Sequence, residues 1–306
     1  MNQMVEPKRI YSLQALILDR NPELPLDEKE FNDLKQAKVC LNAALALEEN
    51  YDLLLGNYRE LELEVISAAV TEMTATSHEY EDFFEIRTAI NRRVVNLLSA
   101  TRMYLDQYPQ SLKKIGVNSE TAKAACAKAY DDFFEYRFME ALRNHAQHEG
   151  LAVHGVTMGG RWLPPHEPKQ LQFSIVPYAS RAALEDSDFK KKVLAECPDK
   201  VPLIPAARIH VGGISSAHKK VRDLVAPVVS KARHFVEAAI ARHEAEARKR
   251  YSGIAAIAKE NGVVVEKIPL FLEWDDVRHK LLKRNHPVEN LAKRFVTNQA
   301  EGTVYS

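Results

Sequence analysis

Arg143, Asn144, His145 and His148 stand within one string, Glu140-Ala-Leu-Arg-Asn-His-Ala-Gln-His, directly ahead of Glu149 and Gly150. Arginine offers a planar fork of donors that fits a phosphate, and it stays charged at any physiological pH. Histidine is the side chain suited to moving protons near neutrality. Together they form a minimal kit for cutting a phosphodiester without a metal. The question is whether the surrounding elements place them to do so.

At helical spacing Phe134, Phe138, Ala141, His145 and His148 share a stripe, with Glu140, Arg143, Asn144 and Gln147 on a polar face beside it. Glu140 precedes Arg143 by three residues, a spacing that lets the carboxylate orient the guanidinium. Arg143 and His148 are five residues apart, about 140° around an ideal helix. One straight helix therefore does not bring them to one phosphate. Convergence requires a helix that loosens ahead of Gly150, or a second copy of the site across a two-fold axis. The same residues also fit an ordinary helix end, with Arg143 in a surface ion pair and the histidines facing the carboxy-terminal dipole. Metal binding by His145 and His148, helped by Glu149 or His154, lacks a firm third ligand. The reading adopted has no metal and no cofactor.

The elements that must hold this string are long and amphipathic. Residues 29–77 read as one very long helix, or as two broken near Asn50–Gly56. A second helix spans 79–108, ahead of Pro109, and a third runs from a Ser119 cap to about Glu149, with Gly150 as its carboxy-terminal cap. Residues 151–163 and 170–178 carry short β-like runs, which predicts a hairpin. A short helix near 187–196 precedes a fourth long helix from Ser215 or Ser216 to about Arg250, and shorter helices follow Trp274, interrupted at Pro287. The expected fold class is mainly α: a bundle of long amphipathic helices with a small β-hairpin insertion around 151–180. The organisation this implies is an N-terminal segment (1–28), a helical core (29–150), the insertion and connector (151–212), a completing helix (213–250) and a basic C-terminal helical extension (251–306).

Composition sets the frame. The 306 residues suffice for a sizeable core, and 46% hydrophobic with 27% charged residues is ordinary for a soluble globular protein. The amino terminus has no apolar run of a secretory kind, and no stretch approaches the roughly 20 apolar residues of a membrane span. Three scattered cysteines, Cys40, Cys126 and Cys197, indicate neither a disulfide framework nor a zinc motif, so a cytoplasmic location is expected. The net charge of zero hides a division: residues 1–189 hold 20 Lys and Arg against 29 Asp and Glu, while residues 190–306 hold 22 against 13. The basic part could meet an anionic polymer. Arg242, Arg248, Lys249, Arg250, Lys280, Lys283 and Arg284 are its best candidates for backbone contact, although such clusters are usually solvated faces.

Tyr80-Glu-Asp-Phe-Phe-Glu-Ile-Arg87 returns as Tyr130-Asp-Asp-Phe-Phe-Glu-Tyr-Arg137, and Arg93 then aligns with Arg143. An old helix duplication would explain it, as would acids and aromatics recurring independently at helix starts. The first copy has Leu98 where the second has His148.

The string from Phe134 to His148, following long helices, resembles the signature of the HEPN superfamily: an arginine, commonly a polar residue after it, then a histidine beyond four to six intervening positions. The resemblance covers roughly 29–149 and extends to the helix at 215–250. It implies a metal-independent endoribonuclease, often of toxin–antitoxin or antiviral-defence systems, acting as a homodimer with paired motifs. His148 would move protons at the ribose 2′-hydroxyl, Arg143 would stabilise the scissile phosphate, and Asn144 would orient the site, with Glu140, His145 and Gln147 in support. Products would be a 2′,3′-cyclic phosphate and a 5′-hydroxyl. RNA is then the expected substrate, an antitoxin or defence protein an expected partner, and a membrane is not involved. The competing reading is a non-catalytic helical module that binds RNA or protein. Ser216-Ala-His-Lys219 matches a serine–lysine spacing without its companion motifs and reads as a helix cap, and Val211-Gly-Gly-Ile214 lacks the lysine of a phosphate loop.

Overall fold

A computed structural model describes residues 9–17, 22–75, 79–163, 170–251 and 253–297. In chain order it contains β1 (Arg9–Ala15), β2 (Leu24–Leu26), α1 (Glu28–Thr74), α2 (Tyr80–Ile115), α3 (Glu120–Asp132), α4 (Phe134–His148), β3 (Gly155–Trp162), β4 (Leu171–Ser180), α5 (Arg181–Glu185), α6 (Lys191–Leu194), β5 (Lys200–Pro202), α7 (Leu203–Ala247), β6 (Ile254–Glu260), β7 (Val263–Leu270) and α8 (Glu273–Arg284). The protein is mainly helical, with two small antiparallel sheets. No helix among the described residues is long and apolar enough to cross a membrane.

The chain divides into two units. Among the described residues, one comprises positions up to Glu49, Gln107–Ser119 and Val221–Arg284, and the other Asn50–Asp106, Glu120–Lys220 and those from Asn285 onward. In the first unit the strand order is β2-β1-β6-β7. Asn261 and Gly262 both have positive φ, 50° and 82°, which closes the β6–β7 hairpin as a two-residue turn. Leu13, Phe31, Leu34, Leu41, Ala255 and Ala256 are buried. This sheet corrects the expectation of a wholly helical extension after residue 251. β6 is Ile-Ala-Ala-Ile-Ala-Lys-Glu with five successive buried residues, so it shows no period-two alternation, and its alanines favour a helical reading.

The second unit holds most of α2, all of α3 to α6, and the three-stranded sheet β3-β4-β5. The expected hairpin is present, pairing Gly155 with Tyr178 through to Trp162 with Leu171; β5 adds a third, unanticipated strand. The core contains Tyr51, Leu54, Leu61, Ile90, Leu97, Phe138 and Met139. Inside it the Tyr51 hydroxyl donates to Ser215 Oγ at 2.9 Å, and the Tyr51 ring stacks on the buried His218 at 3.7 Å.

Of the two readings of residues 29–77, the single long helix is the one present: α1 continues unbroken through Gly56. Several other helix ends differ from expectation, each for a local reason. α2 does not stop at Pro109 but runs to Ile115. It ends where Gly116 takes φ 86°, with Gly116 N–H on the Lys113 carbonyl and Val117 N–H on that of Leu112. That is the paired-bond stop that glycine makes possible. The third helix is really two. Phe133 is extended, and Arg137 Nη1 donates to the freed carbonyls of Tyr130 and Asp131, 2.8 Å each. Both copies of the Phe-Phe-Glu repeat thus lie at helix starts, which favours the independent-origin account of their similarity.

α7 begins at Leu203, twelve residues before Ser215, and continues through Gly212 and Gly213. Gly213 is needed there: a Cβ would lie 2.9 Å from the Tyr136 ring and 3.0 Å from Ala129 Cβ. Gly213→Ala therefore overpacks this contact, and a loss of about 1–3 kcal/mol is expected in denaturant unfolding despite alanine's better helix propensity.

Candidate functional site

α4 positions the candidate residues. Its first turns bury Tyr136, Phe138 and Met139, and the same stripe buries Leu142 and His145. That burial turns the opposite edge outward. Asn144, Gln147 and His148 are exposed and Arg143 is half-buried. The two histidines expected on one stripe therefore part company, His145 inward and His148 outward.

Arg143 Nη1 donates to Asn144 Oδ1 at 2.9 Å, while its buried Nε makes no hydrogen bond among the described residues. Glu140 was expected to hold Arg143. Instead Glu140 Oε1 lies 3.2 Å from Nε2 of His210, a residue of α7 that is 1% exposed. An i, i+3 carboxylate is within reach of Arg143, but the buried imidazole has the stronger need of a partner. Burial pushes the Glu140 carboxyl upward; the His210 hydrogen bond, then the charges of His210, Arg102 and Arg143, outweigh it and hold Glu140 below the usual range. Glu140 also lines a shallow cleft with Leu105, Cys126, Tyr130 and Tyr136.

His145 Nδ1 lies 3.1 Å from Ser187 Oγ, and that hydroxyl donates to the Leu184 carbonyl at 2.9 Å. Its proton being used there, Ser187 accepts from Nδ1–H, which leaves Nε2 as the bare nitrogen. Burial pushes His145 below the ordinary histidine value, against the Leu151 carbonyl and the charge of Glu149. A neutral, enclosed imidazole fixes α4 more readily than it serves substrate. His148, the last residue of α4, is open to solvent.

α4 stays regular to its end. Glu149 N–H and Gly150 N–H both bond to the His145 carbonyl, at 2.8 and 3.2 Å. Gly150 is not a left-handed cap, since its φ is not positive; the C-cap is Glu149 with φ −123°. A Cβ at 150 would sit 3.3 Å from His145 Nε2, a tight contact that glycine avoids. No loosening ahead of Gly150 is present to bring His148 around to Arg143.

The basic candidates all belong to the first unit, apart from the α4 string. Arg242 is tied to Glu30 at 2.8 Å, and Lys249 lies over the Tyr251 ring. Arg248, Arg250, Lys280, Lys283 and Arg284 are exposed. Among the described residues no three His, Cys, Asp or Glu side chains stand together as a metal-binding group. Sequence reasoning missed His210, whose only signal is one histidine amid an apolar helix start.

Comparison of the chain with family models, with curated proteins and with solved structures finds no match in any of the three.

Proposed function

We propose that the chain is a helical ribonuclease of the HEPN type, cutting RNA without a metal to leave a 2′,3′-cyclic phosphate and a 5′-hydroxyl. The observation that carries the reading is the pairing of Arg143 with an amide, Asn144, and with no carboxylate in hydrogen-bond contact among the described residues, beside an exposed His148 on the same helix. A guanidinium bound to a carboxylate would have to give up an ion pair to hold a phosphate. One bound to a neutral amide keeps two edges for oxyanions.

A neutral His148 takes the proton of the 2′-hydroxyl, the oxygen attacks the adjacent phosphorus, and the bond to the 5′-oxygen breaks. The leaving oxygen collects a proton from an imidazolium. Arg143 stabilises charge developing on the phosphoryl oxygens, and Asn144 keeps the guanidinium in place. Because α4 is regular through His148, the reading requires a homodimer in which Arg143 of one copy meets His148 of the other. The helices of 29–150 and 213–250 would form the HEPN-like bundle, in a cytoplasmic toxin–antitoxin or defence setting with an antitoxin or defence partner.

The test is incubation of purified protein with total RNA in excess chelator, followed by end-group analysis. Cyclic phosphate ends at wild-type yield are expected. Arg143→Gln is expected to reduce the cleavage rate about 10²–10³-fold, the cost of removing one donor from a developing oxyanion. RNA that is bound but stays intact would instead favour a non-catalytic binding module.

A further inference from the structure

Arg87 and Arg137 occupy equivalent places in the repeat, and the second unit treats them oppositely. Arg137 is satisfied from within: two carbonyls accept from Nη1, and Nη2 reaches Glu196 at 2.6 Å. Arg87 has no carboxylate partner among the described residues, and its buried Nε makes no hydrogen bond there. Its guanidinium lies over the Phe84 ring, 5.5 Å from the centroid.

One turn further along α2, Asn91 Oδ1 accepts from the backbone N–H groups of Ala152 and Val153, 3.0 Å each. Positions 87 and 91 share a helix face. That clamp holds the segment after α4, which leads directly into His154, on the Arg87 side. His154 Nδ1 accepts from the Ser180 N–H at 3.0 Å, so the neutral ring presents Nε2–H as a donor. The His145 ring lies 5.8 Å from that of His154 and is only 6% exposed, so it backs His154 and does not open to a ligand.

The corner thus gathers a permanent cation with an orphan donor and, on the clamped segment, a second donor. Buried donors left unpaired are costly, and their natural complement is a group with several acceptor oxygens. We propose that Arg87, with the His154 donor beside it, forms a phosphate-binding corner that takes a backbone phosphate of the RNA other than the scissile one. The identity of the polymer rests on the ribonuclease reading; the phosphate chemistry does not.

The test measures binding, so that it stands apart from cleavage. In a His148→Ala background, anisotropy of a labelled single-stranded RNA is followed over a salt series. Arg87→Gln is expected to weaken binding about tenfold, as fits loss of a charge-assisted hydrogen bond, and to lower the salt slope by about 0.7. Arg87→Lys should retain the slope and part of the affinity. Inorganic phosphate, titrated by calorimetry, should bind wild type and not Arg87→Gln. Circular dichroism checks that the variants fold. Unchanged RNA affinity and slope in Arg87→Gln, with no phosphate binding to wild type, would overturn the corner. Arg87-dependent phosphate binding with unchanged RNA affinity would overturn its RNA role and keep it as a site for a free phosphate ligand. Arg87-dependent binding in a protein that never cuts RNA supports the corner and removes the ribonuclease reading alone.

Discussion

His148→Ala is expected to lower RNA cleavage about 10²–10⁴-fold, the range over which a positioned proton-transfer group acts. The fold should be untouched, because His148 is exposed at the end of α4 and the helix is fixed by its buried stripe and His145. Unfolding midpoints of variant and wild type should therefore coincide. A fold-intact variant that cuts at wild-type rate would end the ribonuclease proposal. Mixing the two inactive proteins, Arg143→Gln and His148→Ala, tests the dimer separately. If each site takes Arg143 from one copy and His148 from the other, a mixed dimer contains one intact site and one doubly damaged site. Random exchange then restores about a quarter of wild-type activity. If one chain supplied both residues, every site in the mixture would be defective and mixing would restore nothing. The regular course of α4 through His148 makes rescue the expected result.

What could be read in the sequence depended on whether the signal was local. The long helices and the β3–β4 hairpin are written in periodicity and turn residues within short windows, and each is present. Helix ends proved harder because the deciding interactions are contingent. Pro109 suggests a stop, yet Gly116 with its two backward hydrogen bonds sets the real one. Phe133 carries no breaker signal, and the break exists because Arg137 can take the two carbonyls it exposes. Gly212 and Gly213 suggest a loop, whereas Tyr136 and Ala129 pack against the bare backbone at 213. Among the candidate site residues, Arg143, Asn144 and His148 stand out by residue type and spacing alone. The partner of Glu140 does not, since His210 lies seventy residues away and local spacing offered Arg143 instead.

Asp275 should be the most sensitive ionic position in the first unit. It is fully buried, accepts from Arg278 at 2.6 and 2.9 Å, and accepts from Arg233 at 2.7 Å. Asp275→Ala removes the shared anion and leaves two guanidinium groups with less than their charge requires, Arg278 being 7% exposed. Breaking a buried ion pair from one side costs about 3–5 kcal/mol, and that loss is expected in the unfolding free energy. Asp276, also bonded to Arg233 but 55% exposed, is the comparison: Asp276→Ala should cost at most about 1 kcal/mol. The pH dependence follows with a fixed sign. Burial by itself pushes the Asp275 carboxyl up, but the hydrogen bonds from Arg278 and Arg233, and then their charges, hold it below the usual aspartate range. A depressed carboxyl stabilises the fold fully above its unfolded value, near 4, and loses that contribution as pH falls toward the lower folded value. Wild type should therefore lose stability on acidification below about pH 4 more steeply than Asp275→Ala, and parallel acid-unfolding curves for the two would remove the carboxylate's assigned role.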